Sequence, residues 1–279
     1  MNQVFVNGEY CALADAKISV FDRGFLFGDA VYEVLPVYNG QPAFVEQHLR
    51  RLYSNLEKTK IALPQWDLHQ TINELTIKNG SGDLQVYIHI SRGNQGQRKH
   101  DIPPALSSSV IAFTIHNKYP TLAEKEKGLS ATILEDMRWE RCDIKTTSLL
   151  ANILLNDEAH TEGYQISILT RNNVITEGSA ANIFIVCSDG TIKTFPLNHF
   201  CLPGITREIA IQLIKELKWT FAETEFTADE LLNAQEVWIT STTKEIFPVT
   251  KVNHKIINDG VMGDYCRIIN QRYKELVQK

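Results

Sequence analysis

Arg141-Cys142-Asp143-Ile144-Lys145-Thr146-Thr147 runs directly into Ser148-Leu149-Leu150-Ala151-Asn152-Ile153-Leu154. One lysine stands between a strand-like run and an apolar helix. A lysine so placed can be withdrawn from water, lose part of its preference for the charged form and serve as a Schiff-base amine. Taken alone, Lys145 reads more readily as an ordinary surface lysine, because that residue type is almost never fully buried. Its company along the chain changes the balance.

Downstream, Asn172-Asn173-Val174-Ile175-Thr176-Glu177-Gly178-Ser179 follows a strand expected over Gln165 to Thr170. The Asn-Asn pair is a turn signal, and Glu177 is then a carboxylate presented at a strand end. By itself it is a solvated loop acid. Pro203-Gly204-Ile205-Thr206-Arg207-Glu208 opens a helix whose apolar positions are Ile209, Leu213, Ile214 and Leu217. A glycine followed by free backbone N–H groups and a hydroxyl at a helix start is a natural phosphate seat, and also a plain helix cap. Thr240-Ser241-Thr242-Thr243 ends an apolar strand in consecutive hydroxyls, as a second part of that seat or as a turn.

Upstream, Val31 to Tyr38 reads as a strand, Asn39-Gly40 as a tight hairpin turn and Pro42 to Val45 as the return, with Pro36 either weakening that strand or placing it at a sheet edge. From Glu46 to Ile61, Leu49, Leu52, Tyr53 and Leu56 fall at helical spacing. That pattern leaves Arg51 on the opposite, solvated side. A helix over Asp67 to Ile77 and strands over Leu84 to Ser91 and Ser109 to Ile115 follow. Arg92 to Pro104 is polar and too long for a plain connector.

His116 to Gly128 turns sharply charged and contains Pro120, which marks it as a linker. The expected organisation is a smaller N-terminal domain over 1–118, a linker over 119–129 and a larger C-terminal domain over 130–279. In the second half, strands are expected at Leu129 to Asp136, Asn182 to Val186 and Val237 to Ser241. Helices are expected at Thr147 to His160, Thr206 to Leu217, Ala228 to Asn233 and Gly260 to Val277. Strands and helices mix without strict alternation, so the class is α+β.

Composition narrows the partners. With 28 basic and 33 acidic residues the chain carries a net charge of −5, and no basic run or helix face stands out. Nucleic acid and anionic membranes are therefore not expected partners, and small molecules are. There is no signal-peptide pattern at the N-terminus and no apolar run of membrane-spanning length, which points to the cytoplasm. The five cysteines are scattered and never in CxxC spacing, so neither disulfides nor a metal site is signalled.

In order along the chain these pieces resemble the fold type IV family of pyridoxal 5'-phosphate (PLP) enzymes, which holds D-amino acid aminotransferases, branched-chain aminotransferases and aminodeoxychorismate lyases. The resemblance begins at Asp22-Arg23-Gly24 and Phe27-Gly28-Asp29-Ala30-Val31-Tyr32-Glu33 and passes through His48-Leu49-Arg50-Arg51-Leu52. It continues through Cys142-Asp143-Ile144-Lys145, Thr176-Glu177-Gly178-Ser179 and Gly204-Ile205-Thr206-Arg207 to Ser241-Thr242-Thr243. It implies a smaller N-terminal α/β sandwich and a larger C-terminal domain built around a barrel-like sheet. Lys145 is then the Schiff-base lysine and Glu177 the partner of the pyridine nitrogen. Arg51, Ile205, Thr206 and Thr242, with Ser241 beside them, become the phosphate ligands, and Leu202 packs on the cofactor ring. For Arg51 the resemblance overrides the periodicity.

Arg98-Lys99-His100 in the long polar loop resembles the substrate-carboxylate trap of the D-amino acid branch, where it acts across a dimer interface together with a tyrosine matching Tyr32. Bidentate pairing suits an arginine to a carboxylate. The implied activity is transamination of small D-amino acids such as D-alanine by a homodimer, with pyruvate or 2-oxoglutarate as acceptor. Aminodeoxychorismate lyase and branched-chain L-aminotransferase are the alternatives. Two departures bear on substrate range: Ala180-Ala181 stand where that branch carries serines, and Gln165-Ile166-Ser167 where it carries an acid.

Overall fold

The computed structural model describes residues 3–80 and 82–278. It divides the chain into two compact units, Met1–Lys118 with Ile144–Leu149, and Tyr119–Asp143 with Leu150–Lys279. The assignment differs from the expected domains at two places. Residues 119–129 belong to the second unit instead of forming a free linker, and the Lys145 segment belongs to the first.

The first unit contains β1 (Gln3–Val6), β2 (Glu9–Ala12), α1 (Arg23–Phe27), β3 (Ala30–Tyr38), β4 (Gln41–Pro42), α2 (Val45–Thr59), α3 (Leu68–Asn79), β5 (Leu84–Ser91) and β6 (Ser109–His116). Its strands form one antiparallel sheet in the order β2-β1-β6-β5-β3-β4. Asn39 and Gly40 both take positive φ, 49° and 77°, which is what a two-residue hairpin turn demands. Only Val37 and Tyr38 pair with β4, so Pro36 needs no N–H on that side. One face of the sheet packs Val31, Leu35, Val86, Ile88 and Val110 against Leu49, Leu52 and Leu56 of α2 and Leu68, Ile72 and Leu75 of α3.

The buried side of α2 is His48, Leu49, Arg51, Leu52, Asn55 and Leu56, while Tyr53 is 38% exposed. The apolar stripe is therefore flanked by buried polar residues, and Arg51 is not solvated as the periodicity alone suggests. The cause is Glu33, wholly buried on β3, which draws both His48 and Arg51 inward.

The second unit contains α4 (Leu122–Glu126), β7 (Leu129–Glu135), α5 (Leu150–Thr161), β8 (Ile166–Arg171), β9 (Val174–Gly178), β10 (Asn182–Val186), β11 (Ile192–Thr194), α6 (Ile205–Glu216), β12 (Phe221–Glu223), α7 (Ala228–Leu232), β13 (Glu236–Ser241), β14 (Glu245–Val252), β15 (Lys255–Ile256) and α8 (Asp264–Val277). Its sheet runs β12-β11-β10-β13-β14-β7-β8-β9, with β15 on β14; β14-β7, β7-β8 and β11-β12 are parallel and the rest antiparallel. Ile168, Ile183, Ile185, Val237, Ile239 and Val249 contribute to its core. β14 was hidden in the sequence by Pro248. The proline is tolerated because the ladder with β7 starts one residue later, at Val249, and shifts register before Lys251.

Two helices begin later than their apolar patterns suggest. α5 starts at Leu150 because the Thr147 amide and the Thr146 hydroxyl donate to the Ala30 carbonyl and the Ser148 hydroxyl to that of Gly28. α8 starts at Asp264, where the Glu236 carboxylate accepts the amides of Tyr265 and Cys266.

The supposed linker is fastened by charge. α4 opens on a capping box between Thr121 and Glu124, and its Lys125 is 4% exposed. Lys125 Nζ donates to Glu245 Oε2 at 2.6 Å and to Asn270 Oδ1 at 2.7 Å. Lys125→Met strands the Glu245 charge and should lower unfolding free energy by about 3–5 kcal/mol. Adding Glu245→Gln should recover much of that loss in urea titrations.

Candidate active site

In the first unit the backbone sets the amine in place. Val31 bridges Thr146, and the Tyr32 amide donates to the Lys145 carbonyl at 3.0 Å. The half-buried Lys145 thereby projects its Nζ over the Tyr32 ring, 4.2 Å from the centroid. Tyr32 in turn stacks on Tyr87 of β5 with centroids 5.6 Å apart. Among the described residues no carboxylate is ion-paired with Lys145.

On the next residue of β3 the side chain points to the opposite face, as strand alternation requires. There Glu33 accepts Arg51 Nε at 2.6 Å and Nη2 at 2.9 Å, a bidentate pair, and His48 Nδ1 at 2.8 Å. Burial by itself would raise the Glu33 carboxyl, but Arg51 and His48 hold it far below the usual range. An ionised carboxylate only accepts, so the proton of the His48 ring sits on Nδ1. Burial, reinforced by Arg51 and Lys145, holds His48 below its ordinary value despite Glu33.

Arg98 and His100, both exposed, are brought together on one ring: the Arg98 Cζ is 5.5 Å and the His100 ring 5.2 Å from the Phe27 centroid. The loop holding them is tied down from within by the buried Arg23.

In the second unit Glu177, near the end of β9, is 3% exposed. Its Oε1 accepts Arg138 Nη1 at 2.7 Å; its Oε2 accepts the Leu202 amide at 3.1 Å and Asn182 Nδ2 at 3.2 Å. Arg138 also clasps Asp136, Nε to Oδ1 and Nη2 to Oδ2 both at 2.9 Å, and Arg171 adds a contact to Asp136 Oδ2 at 3.0 Å. One guanidinium is thus shared by two acids. Burial raises Glu177 above the ordinary carboxylate value against the pull of Arg138. Asp136, held by two arginines, goes below it although burial opposes.

Asn182 also donates to the Leu202 carbonyl at 2.9 Å, which ties Leu202 to the Glu177 carboxylate from both sides of its backbone. Gly204 precedes α6 without a capping side chain, so the first-turn N–H groups of Ile205 and Thr206 lack a side-chain acceptor there. A Cβ on Gly204 would stand 2.0 Å from Asn182 Oδ1, so a larger residue would have to displace the Asn182 side chain that holds Glu177 and Leu202. Ser241 closes β13 and its Oγ accepts the Lys244 amide at 3.1 Å; Thr242 sits half-buried in the ensuing turn.

Several of these residues escaped the sequence reading. Glu33 and His48 carry a faint signal, an acid inside an otherwise apolar strand that must find a cation. Asp136 and Arg138 lie two apart just after β7, which is also a readable pair. Asn182, first residue of an apolar strand, carries no signal that separates it from a turn residue.

Residues 30–252 match the family described as amino-transferase class IV. The D-alanine aminotransferase of Staphylococcus epidermidis is 35% identical over 281 residues, covering 100% of this chain and 99% of that one. That of Bacillus licheniformis is 36% identical over 94% of this chain and 92% of its own. Among solved structures, the branched-chain amino acid aminotransferase of Escherichia coli superimposes with a TM-score of 0.92 at 26% identity, over 99% of this chain and 94% of that one.

The buried acids set the response to pH. Glu33 and Asp136 have folded-state values below their unfolded ones, so their pairs add stability that is full above about pH 5 and is lost as pH falls through the folded values. Urea midpoints measured from pH 7 down to about pH 3 should decline, and Glu33→Gln should lower the plateau and flatten the decline.

Proposed function

The chain belongs to the class IV aminotransferases, which work with pyridoxal 5'-phosphate, and from that premise we propose that it transfers amino groups between small D-amino acids, D-alanine among them, and 2-keto acids. The observation that carries the reading is Glu177. A carboxylate offers roughly four acceptor directions, and three donors meet this one. The remaining direction suits a ring N–H, and a buried acid with a raised value suits a shared proton. The donor set therefore fits the cofactor.

When bound, the cofactor supplies the electron sink for an α-carbon that loses its proton. Glu177 holds the proton on the ring nitrogen, Arg138 and Asn182 keep Glu177 aimed, and Leu202 packs on the ring. The amides of Ile205 and Thr206 at the start of α6 bind the phosphate together with Thr242, Ser241 and Arg51, whose side chain Glu33 holds in place. Lys145 anchors the cofactor, and its Nζ takes up and redelivers the proton of the substrate α-carbon. Tyr32, beneath that amine, faces the reacting centre.

Arg98 and His100 bind the substrate carboxylate, the arginine through a charge-assisted fork. They do so in the site of a second copy of the chain, as a homodimer. Leu13, Val20 and Phe25 in one N-terminal stretch are 61%, 64% and 65% exposed, an apolar surface that a second copy would cover. Small amino acids and keto acids are the partners, and the two half-reactions give ping-pong kinetics.

Lys145→Ala should abolish turnover while the protein stays folded. Mixed dimers of Lys145→Ala and Arg98→Ala chains should regain part of the activity, because one site then holds both side chains. D-Alanine and D-glutamate should change the absorbance of the bound cofactor within a single turnover. Conversion by L-leucine and not by the D-amino acids would replace this reading with a branched-chain L-aminotransferase; conversion only by aminodeoxychorismate would replace it with the lyase.

A further inference from the structure

Arg23 lies at the start of α1 and is 4% exposed. A buried guanidinium must find acceptors for its five N–H groups, and this one finds five acceptor atoms. Nε donates to Asp29 Oδ2 at 2.7 Å; Nη1 faces Gln95 Oε1 at 3.0 Å, the Lys99 carbonyl at 2.8 Å and the Asp101 carbonyl at 3.4 Å; Nη2 donates to the His100 carbonyl at 3.1 Å. Three consecutive carbonyls of one loop thus converge on a single plane.

The anchoring is reinforced on every side. Gln95 Nε2 donates to the carbonyls of Gln97 and Lys99, so the side chain that meets Arg23 also braces the turn around Arg98. The Arg23 amide donates to the Gly93 carbonyl at 2.9 Å, and Asp22 bridges Asn94. Asp29 is itself held by Arg92, which donates to the carbonyls of Thr59 and Lys60 at the end of α2. The Arg23 Cζ lies 5.0 Å from the centroid of Phe27, the same ring that carries Arg98 and His100.

We propose that Arg23 is a positioning residue for recognition of the substrate carboxylate: its guanidinium gathers the carbonyls of Lys99, His100 and Asp101 and the Gln95 side chain, and so presents Arg98 and His100 in a fixed pose. The inference rests on the carboxylate reading of Arg98 and His100 given above. Its physical content is preorganisation. An exposed polar loop left to itself would have to be ordered anew by each substrate, and that ordering would weaken binding. A lysine at position 23 keeps the charge but offers three donors without the planar fork, so it cannot serve the five acceptors.

The test measures steady-state kinetics with D-alanine and pyruvate on PLP-loaded Arg23→Lys, Gln95→Ala, Arg98→Ala and the double variant Arg23→Lys/Arg98→Ala, with hydrogen exchange of amides 95–101 beside them. Arg23→Lys should raise KM for both carboxylate substrates roughly ten- to a hundredfold with kcat nearly unchanged, leave PLP affinity unaltered and speed exchange in the loop. Gln95→Ala, which removes a half-exposed side chain and does not threaten folding, should move KM the same way by less. In the Arg98→Ala background the Arg23→Lys effect should shrink to the share carried through His100. If Arg98→Ala raises KM while both Arg23→Lys and Gln95→Ala leave it at the wild-type value, the positioning role is overturned and the carboxylate reading stands. The same holds if the two substitutions add independently, since Arg23 then does not act through Arg98. If Arg98→Ala itself leaves KM unchanged, the carboxylate reading falls and the positioning role falls with it.

Discussion

The hydrogen bond from the Tyr32 amide to the Lys145 carbonyl, of ordinary length at 3.0 Å, joins distant parts of the chain and decides where the amine lies. A lysine on a flexible connection would sweep a large volume with four rotatable bonds. Here the main chain from the Lys145 carbonyl to Thr147 is stitched to β3, through Val31 with Thr146 and through the Ala30 carbonyl, which accepts from the Thr147 amide and the Thr146 hydroxyl. The side chain then has one direction to take, over the Tyr32 ring. Strand alternation at the next residue turns Glu33 to the other face, where it fixes Arg51 and His48. One backbone pairing thus orients side chains on both faces of β3.

Many buried charges are held in pairs, while Glu236 is held by the backbone amides of Tyr265 and Cys266 instead. Glu33 meets Arg51, Asp29 lies between Arg23 and Arg92, Arg138 serves both Asp136 and Glu177, and Lys125 is matched by Glu245. Charged groups withdrawn from water are costly unless paired with good geometry, so each pair is also a rigid joint. The joints do different work. Arg138 holds Glu177 near the end of β9, whereas the Lys125 pair holds a segment that the sequence presents as a connector.

Legibility in the sequence follows the physics of each signal. α3 was readable because its apolar residues repeat at helical spacing and Asp67 caps it, and β5 because eight residues of strand type stand between turn signals. Arg51 was misjudged by periodicity because the pattern records apolar positions only; a polar residue drawn inward by one buried acid is invisible to it. β14 was lost to Pro248, whose missing N–H argues against a strand until the late start of its neighbouring ladder is known. Lys145 and Glu177 are singled out by their place in an ordered series of short motifs, since neither stands out by local chemistry. Arg138 and Asn182, which aim Glu177, escaped because what marks them is three-dimensional contact with a residue that is itself unremarkable in sequence.

The separate assignment of Ile144–Leu149 to the first unit has a consequence for how the chain comes to be folded. Ile144 is part of the hydrophobic core built by β3, β5, α2 and α3, and Thr146 reaches back 116 residues to Ala30. Loop closure over such a span slows the formation of contacts and adds to the entropy that ordering must overcome. As the polypeptide leaves the ribosome, the first 118 residues emerge with their sheet and helices but without the last piece of their core. The amino-terminal unit is therefore finished only after synthesis has passed residue 149, well into the second unit, so its maturation waits on a segment that is made late.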